Sequence, residues 1–215
     1  DYLITKMVTY CETNNLEFEI MNMNIEVPTY IINQFRYQPR ILEPEALCKK
    51  LMDLIKSISS NWIKKEIILC IPDILSDSEH SGITNELEDL LSDTELISAT
   101  LETLSNLTFQ TENTNQIVKK LFTNYALIDE SDLSYVVKYL LKSANFLNSK
   151  EIMNSLREQI LLSEINKEEN RFAIYDIMRE YFQISTNLAN LFMQIITNEL
   201  TDGQSNIMKQ IDFLI

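Results

Sequence analysis

The sequence predicts an all-α fold, and two observations carry that expectation. Turn-forming residues are scarce: 215 residues hold only 2 Gly and 4 Pro. A sheet protein needs frequent turn chemistry, so this scarcity favours helices. Apolar residues also recur at helical spacing along almost the whole chain.

The first 44 residues read as a less regular opening segment. Tyr2 to Tyr10 reads as the end of a preceding helix, and Glu17–Pro28 as an extended or loop connection. Leu47, Leu51, Leu54, Ile55 and Ile58 then form a stripe, with Pro44 where a first-turn proline is tolerated. Trp62, Ile63, Ile67, Ile68 and Ile71 form a second stripe, which Pro72 should kink or end. A third carries Ile83, Leu87, Leu90 and Leu91. Ser92 and Glu95 have the spacing of a capping box for a fourth, with Leu96, Ile97, Leu101 and Leu104.

The second half repeats the theme. Ile117, Leu121, Phe122 and Tyr125 are followed by Leu133, Val136, Val137, Leu140 and Leu141. Ile152, Leu156, Ile160 and Leu161 come next, with Asn148 and Glu151 placed to cap them. Ile174, Ile177, Met178 and Tyr181 lead into Leu188, Leu191, Phe192, Ile195 and Ile196. A last helix is expected from Ile207 to Ile215. Short polar links, Gln110–Asn113 and Asp129–Asp132, join these helices.

Two helices with their links take roughly 35–40 residues, the range of helical-repeat proteins. Such a pair cannot bury its apolar face alone, so neighbours must stack. The expected architecture is one domain over residues 1–215, an irregular HEAT/armadillo-like solenoid with a right-handed stack. Leu101, Leu121, Val137, Leu140, Leu156 and Ile195 should be buried. A compact helical bundle is the alternative.

Catalytic patterns are sparse. The single histidine, His80, lies in a polar stretch and reads as a solvated loop residue. A zinc site needs about four ligands, and Cys70 with His80 is the one close Cys/His pair. Gly82 and Gly203 alone cannot make a glycine-rich phosphate loop. Acidic pairs such as Glu86/Asp89 and Glu168/Glu169 read as solvated helix faces. The expectation is a non-enzymatic chain with no cofactor and no metal. Cys11, Cys48 and Cys70 are odd in number and scattered, which suits a reducing compartment. No apolar run reaches the roughly 18 residues of a membrane helix. The chain begins at Asp1 and reads as a fragment of a longer protein.

The net charge of −14 opposes phosphate approach, so the chain alone should bind nucleic acid weakly. Basic residues cluster only locally: Lys49/Lys50, Lys64/Lys65, Lys119/Lys120 and Arg36/Arg40. Each reads first as a solvated helix face. If Lys49, Lys50, Lys64 and Lys65 shared one ridge, they could meet a DNA backbone inside a larger groove.

The run Glu66-Ile-Ile-Leu-Cys-Ile-Pro-Asp-Ile-Leu-Ser-Asp-Ser-Glu-His80, with Asn85-Glu-Leu-Glu-Asp-Leu-Leu91, resembles the Fanconi anaemia group D2 family. Ile31-Ile-Asn-Gln-Phe35 precedes it and Leu133 to Leu141 and Glu151 to Glu158 follow in the family's order. The resemblance covers roughly residues 25 to 161 and fades beyond Leu162, where 163–170 is a short polar link.

That resemblance implies a nuclear, large helical-solenoid protein of DNA interstrand-crosslink repair. It implies pairing with a paralogue, the Fanconi anaemia group I protein, in a ubiquitin-locked clamp on duplex DNA. The acceptor lysine of that family falls downstream of this segment. It further implies a CUE-like ubiquitin-binding region around Ile71, Pro72 and Leu75, with Leu90 and Leu91. Here the spacing departs from the usual CUE pattern, because Leu90-Leu91 follows Pro72 too soon. The same aliphatics would equally pack two consecutive helices together. Two other readings remain open: a generic protein-binding scaffold, and an accessory domain of an enzyme.

Overall fold

A computed structural model of the chain describes residues 2–13, 26–38, 41–161 and 168–201. Among the described residues there are eleven α-helices and no strand, so the fold is all-α. The chain divides into two compact units, Asp1–Asn113 and Thr114–Ile215.

In the first unit α1 (Tyr2–Thr13) packs on α2 (Glu26–Arg36). Glu26–Pro28, expected in a loop, begins α2, and residues 17–25 of that expected connection lie outside the described residues. Pro28 sits in the first turn, where its missing N–H would have no helical acceptor. α3 (Pro44–Ser57) begins on Pro44 for the same reason.

α4 (Asn61–Ile74) is the hub of this unit and packs on α2, on α3 and on α6 (Ile97–Asn106). Its sequence explains the role. Ile63, Ile67, Ile68, Cys70, Ile71 and Ile74 are all buried and point to more than one face. A helix apolar on several sides must be enclosed. Each fully buried isoleucine contributes about 1.5–3 kcal/mol of transfer free energy. Arg36 of α2 lies 3.7 Å from Glu66 and 3.6 Å from Asp73, linking α2 to both ends of the last two turns of α4.

Pro72 does not break α4 at once; the helix runs two residues further and ends at Leu75, its C-cap. A helical proline leaves the carbonyl four residues back without its N–H. That carbonyl belongs to Ile68. The buried Thr103 hydroxyl of α6 donates to it at 2.9 Å. Thr100, one turn earlier, bonds instead to Leu96 of its own helix at 2.9 Å. Thr103 therefore compensates for the proline from across the interface.

Between α4 and α5 (Thr84–Leu90) lies a 3-10 segment, Asp77–Ile83. It opens with a capping box in which Ser76 and Glu79 bond reciprocally. The box expected at Ser92/Glu95 does not form. α6 starts at Ile97 without a side-chain cap, and Asp93 instead accepts the Glu95 N–H at 3.1 Å. An Asp side chain bonding two residues ahead makes a turn, and that won over the cap.

His80 is not solvated. It is 3% exposed, and its Nδ1 accepts the Thr108 N–H at 2.8 Å, tying the 3-10 segment to the chain after α6. Nε2 lies 3.8 Å from the Asp77 carboxylate. The polar sequence around His80 concealed a tertiary acceptor role.

α7 (Thr111–Asn124) straddles the boundary between the units and buries Ile117, Val118 and Leu121. Its start takes up part of the expected link Gln110–Asn113. In the second unit α8 (Leu133–Ser143) packs on α10 (Glu168–Ile184). α9 (Ser149–Ser155), continued by a π-helical stretch Leu156–Leu161, packs on α11 (Thr186–Thr201). Phe182 and Phe192 join α10 to α11 with ring centroids 5.2 Å apart and tilted. Leu101, Leu121, Val137, Leu140 and Leu156 are buried as expected, while Ile195 is only half-buried.

Asn148 holds the N-cap position of α9 but makes no capping bond. Its side chain accepts the Asn145 N–H at 2.7 Å and donates to the Asn115 side chain at 2.7 Å and the Ser143 carbonyl at 3.2 Å. Two local partners and one distant one, Asn115, took the side chain from the helix end. Residues 163–167 of the polar link and Ile207 to Ile215 lie outside the described residues; Glu168 and Asn170 already belong to α10.

Candidate functional site

The residues singled out in the sequence do not form one surface. Ile71 is fully buried, Leu75 is 8% exposed, and Ile74 and Leu91 are buried with them. Pro72 and Leu90 are half-buried. In this unit Ile71 and Leu75 pack the core, and the apolar patch suggested there is not formed. Lys49 and Lys50 are exposed on α3, whereas Lys64 and Lys65 are half-buried on α4. Arg36 is engaged by Glu66 and Asp73.

The structure does bring two of these residues together. Lys49 and Leu75 line one cavity of about 270 Å³ in the first unit. α3 supplies Glu45, Cys48, Lys49 and Met52. Their spacing is i, i+3, i+4 and i+7, one face of a helix. The 3-10 segment supplies Glu79, Gly82 and Ile83, α5 adds Glu86, and Leu75 closes the end of α4.

The floor and rim differ in chemistry. Cys48, Met52, Leu75 and Ile83 are buried and apolar. Burial pushes the Cys48 thiol up to about 12, with the Glu79 charge adding to it, so the floor carries no thiolate at neutral pH. The rim carries three carboxylates, Glu45, Glu79 and Glu86, against one ammonium, Lys49. Glu79 is held in place because Ser76 donates to it through its hydroxyl at 2.6 Å and its N–H at 3.0 Å. Those two bonds hold the Glu79 carboxyl below its ordinary value. A phosphate approaching Lys49 meets this acidic rim, which weakens its case as a DNA contact.

Sequence reasoning missed Glu45, Glu79 and Glu86 as members of a site. The signal for Glu45 was present in the i, i+3, i+4, i+7 face; pairing Lys49 with its neighbour Lys50 hid it. Among the described residues no group of three or more His, Cys, Asp or Glu is placed to hold a metal ion. Among them, too, no helix is long and apolar enough to cross a membrane.

Fold and side chains together define an all-α protein with a recess in its first unit that is apolar within and acidic at its mouth. The family model described as "Fanconi anaemia protein FancD2 nuclease" matches residues 6–167. The chain is 30% identical over 137 residues to the Fanconi anemia group D2 protein of Gallus gallus, covering 63% of this chain and 10% of that protein. It is 29% identical over 137 residues to the group D2 homologue of Rattus norvegicus, with 63% and 9% covered. Against the Mus musculus homologue it is 30% identical over 145 residues, with 66% and 10% covered. The chain belongs to the Fanconi anaemia group D2 family. It spans about a tenth of the length of the curated relatives it matches. Those relatives' names carry no activity, whereas the family description carries the word nuclease.

Proposed function

We propose that this chain is a non-enzymatic, nuclear segment of a longer DNA interstrand-crosslink-repair protein. In this reading the longer protein pairs with its paralogue, the Fanconi anaemia group I protein, and the pair forms a ubiquitin-locked clamp on duplex DNA. The two helical units are parts of a HEAT-like solenoid, and they act by binding other macromolecules. The observation that carries the reading is the family match over residues 6–167. Three relatives named as group D2 proteins support it.

The physical features are compatible with a role in assembly. A net charge of −14 leaves phosphate binding to basic surfaces elsewhere in the clamp. The test is a pull-down from nuclear extract with the longer protein as bait. Recovery of the group I paralogue is the expected result, and its absence would overturn the pairing. Metal-dependent cleavage of duplex DNA by the 215-residue chain would contradict the non-enzymatic part.

A further inference from the structure

We propose that the cavity between α3, the 3-10 segment and α5 is a socket for a single basic side chain, best an arginine, of a protein partner. The inference goes beyond the pairing proposed above and does not depend on which partner is involved.

Size is the first argument. About 270 Å³ lies at the lower edge of the roughly 300–1,000 Å³ of small-molecule sites, and it admits one long side chain. Chemistry is the second. Cys48, Met52, Leu75 and Ile83 offer an apolar wall to the methylene stem of a long side chain. Glu45, Glu79 and Glu86 offer carboxylates at the mouth for its charged head. One Lys49 leaves an excess of two negative charges, so an anionic or phosphorylated ligand is repelled.

The arrangement also disfavours a small cation. Among the described residues, the acids are not grouped closely enough for a metal ion. A head that spreads its charge over a planar fork suits separated carboxylates better than a point charge does. Glu79 is pre-positioned by its two bonds from Ser76, so the rim loses little freedom on binding.

The experiment uses the whole 215-residue chain with labelled methyl groups, titrated with three blocked tripeptides. These are acetyl-Ala-Arg-Ala-amide, its norleucine counterpart and its glutamate counterpart. The arginine peptide is expected to shift the methyl signals of Met52, Leu75 and Ile83, and the other two to shift them far less. Glu45→Gln and Glu86→Gln should each weaken arginine binding roughly three- to fivefold, the size of one partly exposed charge contact. Lys49→Gln should strengthen it by a similar factor. Glu79 is left unchanged because it caps the 3-10 segment. Equal shifts from arginine and norleucine, silence at these methyls, or indifference to both Glu→Gln changes would overturn the proposal.

Discussion

Replacing Thr103 with Val tests how this fold accommodates a proline inside its central helix. The substitution keeps the side-chain shape and removes the hydroxyl that donates to Ile68 at 2.9 Å. Both residues are fully buried, and Pro72 has no N–H to take over. The Ile68 carbonyl would then be buried without a donor, which costs about 1–3 kcal/mol. For a chain of this size each kcal/mol moves the melting temperature by about 2–4 °C, so the fall should be several degrees. The assay is urea unfolding of a double-mutant cycle with Pro72→Ala. Alanine restores the helical N–H to Ile68, so in that background Thr103→Val should cost less than about 0.5 kcal/mol. An equal cost in the native and the Pro72→Ala backgrounds would refute the coupling between this hydroxyl and this proline.

Leu140→Ala should destabilise the second unit by about 2–5 kcal/mol, because Leu140 is buried and truncation leaves a cavity; urea unfolding measures it. Burial raises the Cys48 and Cys70 thiols from 9.0 to about 12. The folded state then keeps its protons while the unfolded state loses them, so stability should fall as pH climbs from 9.0 towards about 12. A Cys48→Ala/Cys70→Ala variant should show a shallower fall over that window, and an unchanged slope would count against the assignment. Titrated with duplex DNA at physiological salt, the 215-residue chain should bind weakly and without sequence preference; tight, specific binding would contradict the charge argument.

Much of the helical fold was legible because it rests on period. Ile63, Ile67, Ile68 and Ile71 announce a buried helix by spacing alone, and Pro44 marks a helix start by its missing N–H. What could not be read were the choices between competing partners, some of them local and some far away in the chain. Ser92 and Glu95 have the right spacing for a cap, yet Asp93 captured the turn. Asn148 stands at a helix start, yet Asn115 and Ser143 claim its amide. His80 looked solvated because its neighbours are polar, and its partner Thr108 is 28 residues away. The cavity was half legible: α3 puts Glu45, Cys48, Lys49 and Met52 on one face, but nothing local shows that Glu79 and Glu86 arrive opposite them. Ile71 and Leu75 were ambiguous between surface and core, because aliphatic residues near a helix end serve either, and only packing decides.

We propose that this chain serves a paired clamp rather than an enzyme. The most direct measurement is the sedimentation of the longer protein carrying this segment, mixed with the group I paralogue, with and without duplex DNA. A one-to-one complex that forms and is retained on duplex DNA, with the DNA left uncut, is the predicted result. Two separately sedimenting proteins, or duplex cleaved by the group D2-family chain alone, would contradict it.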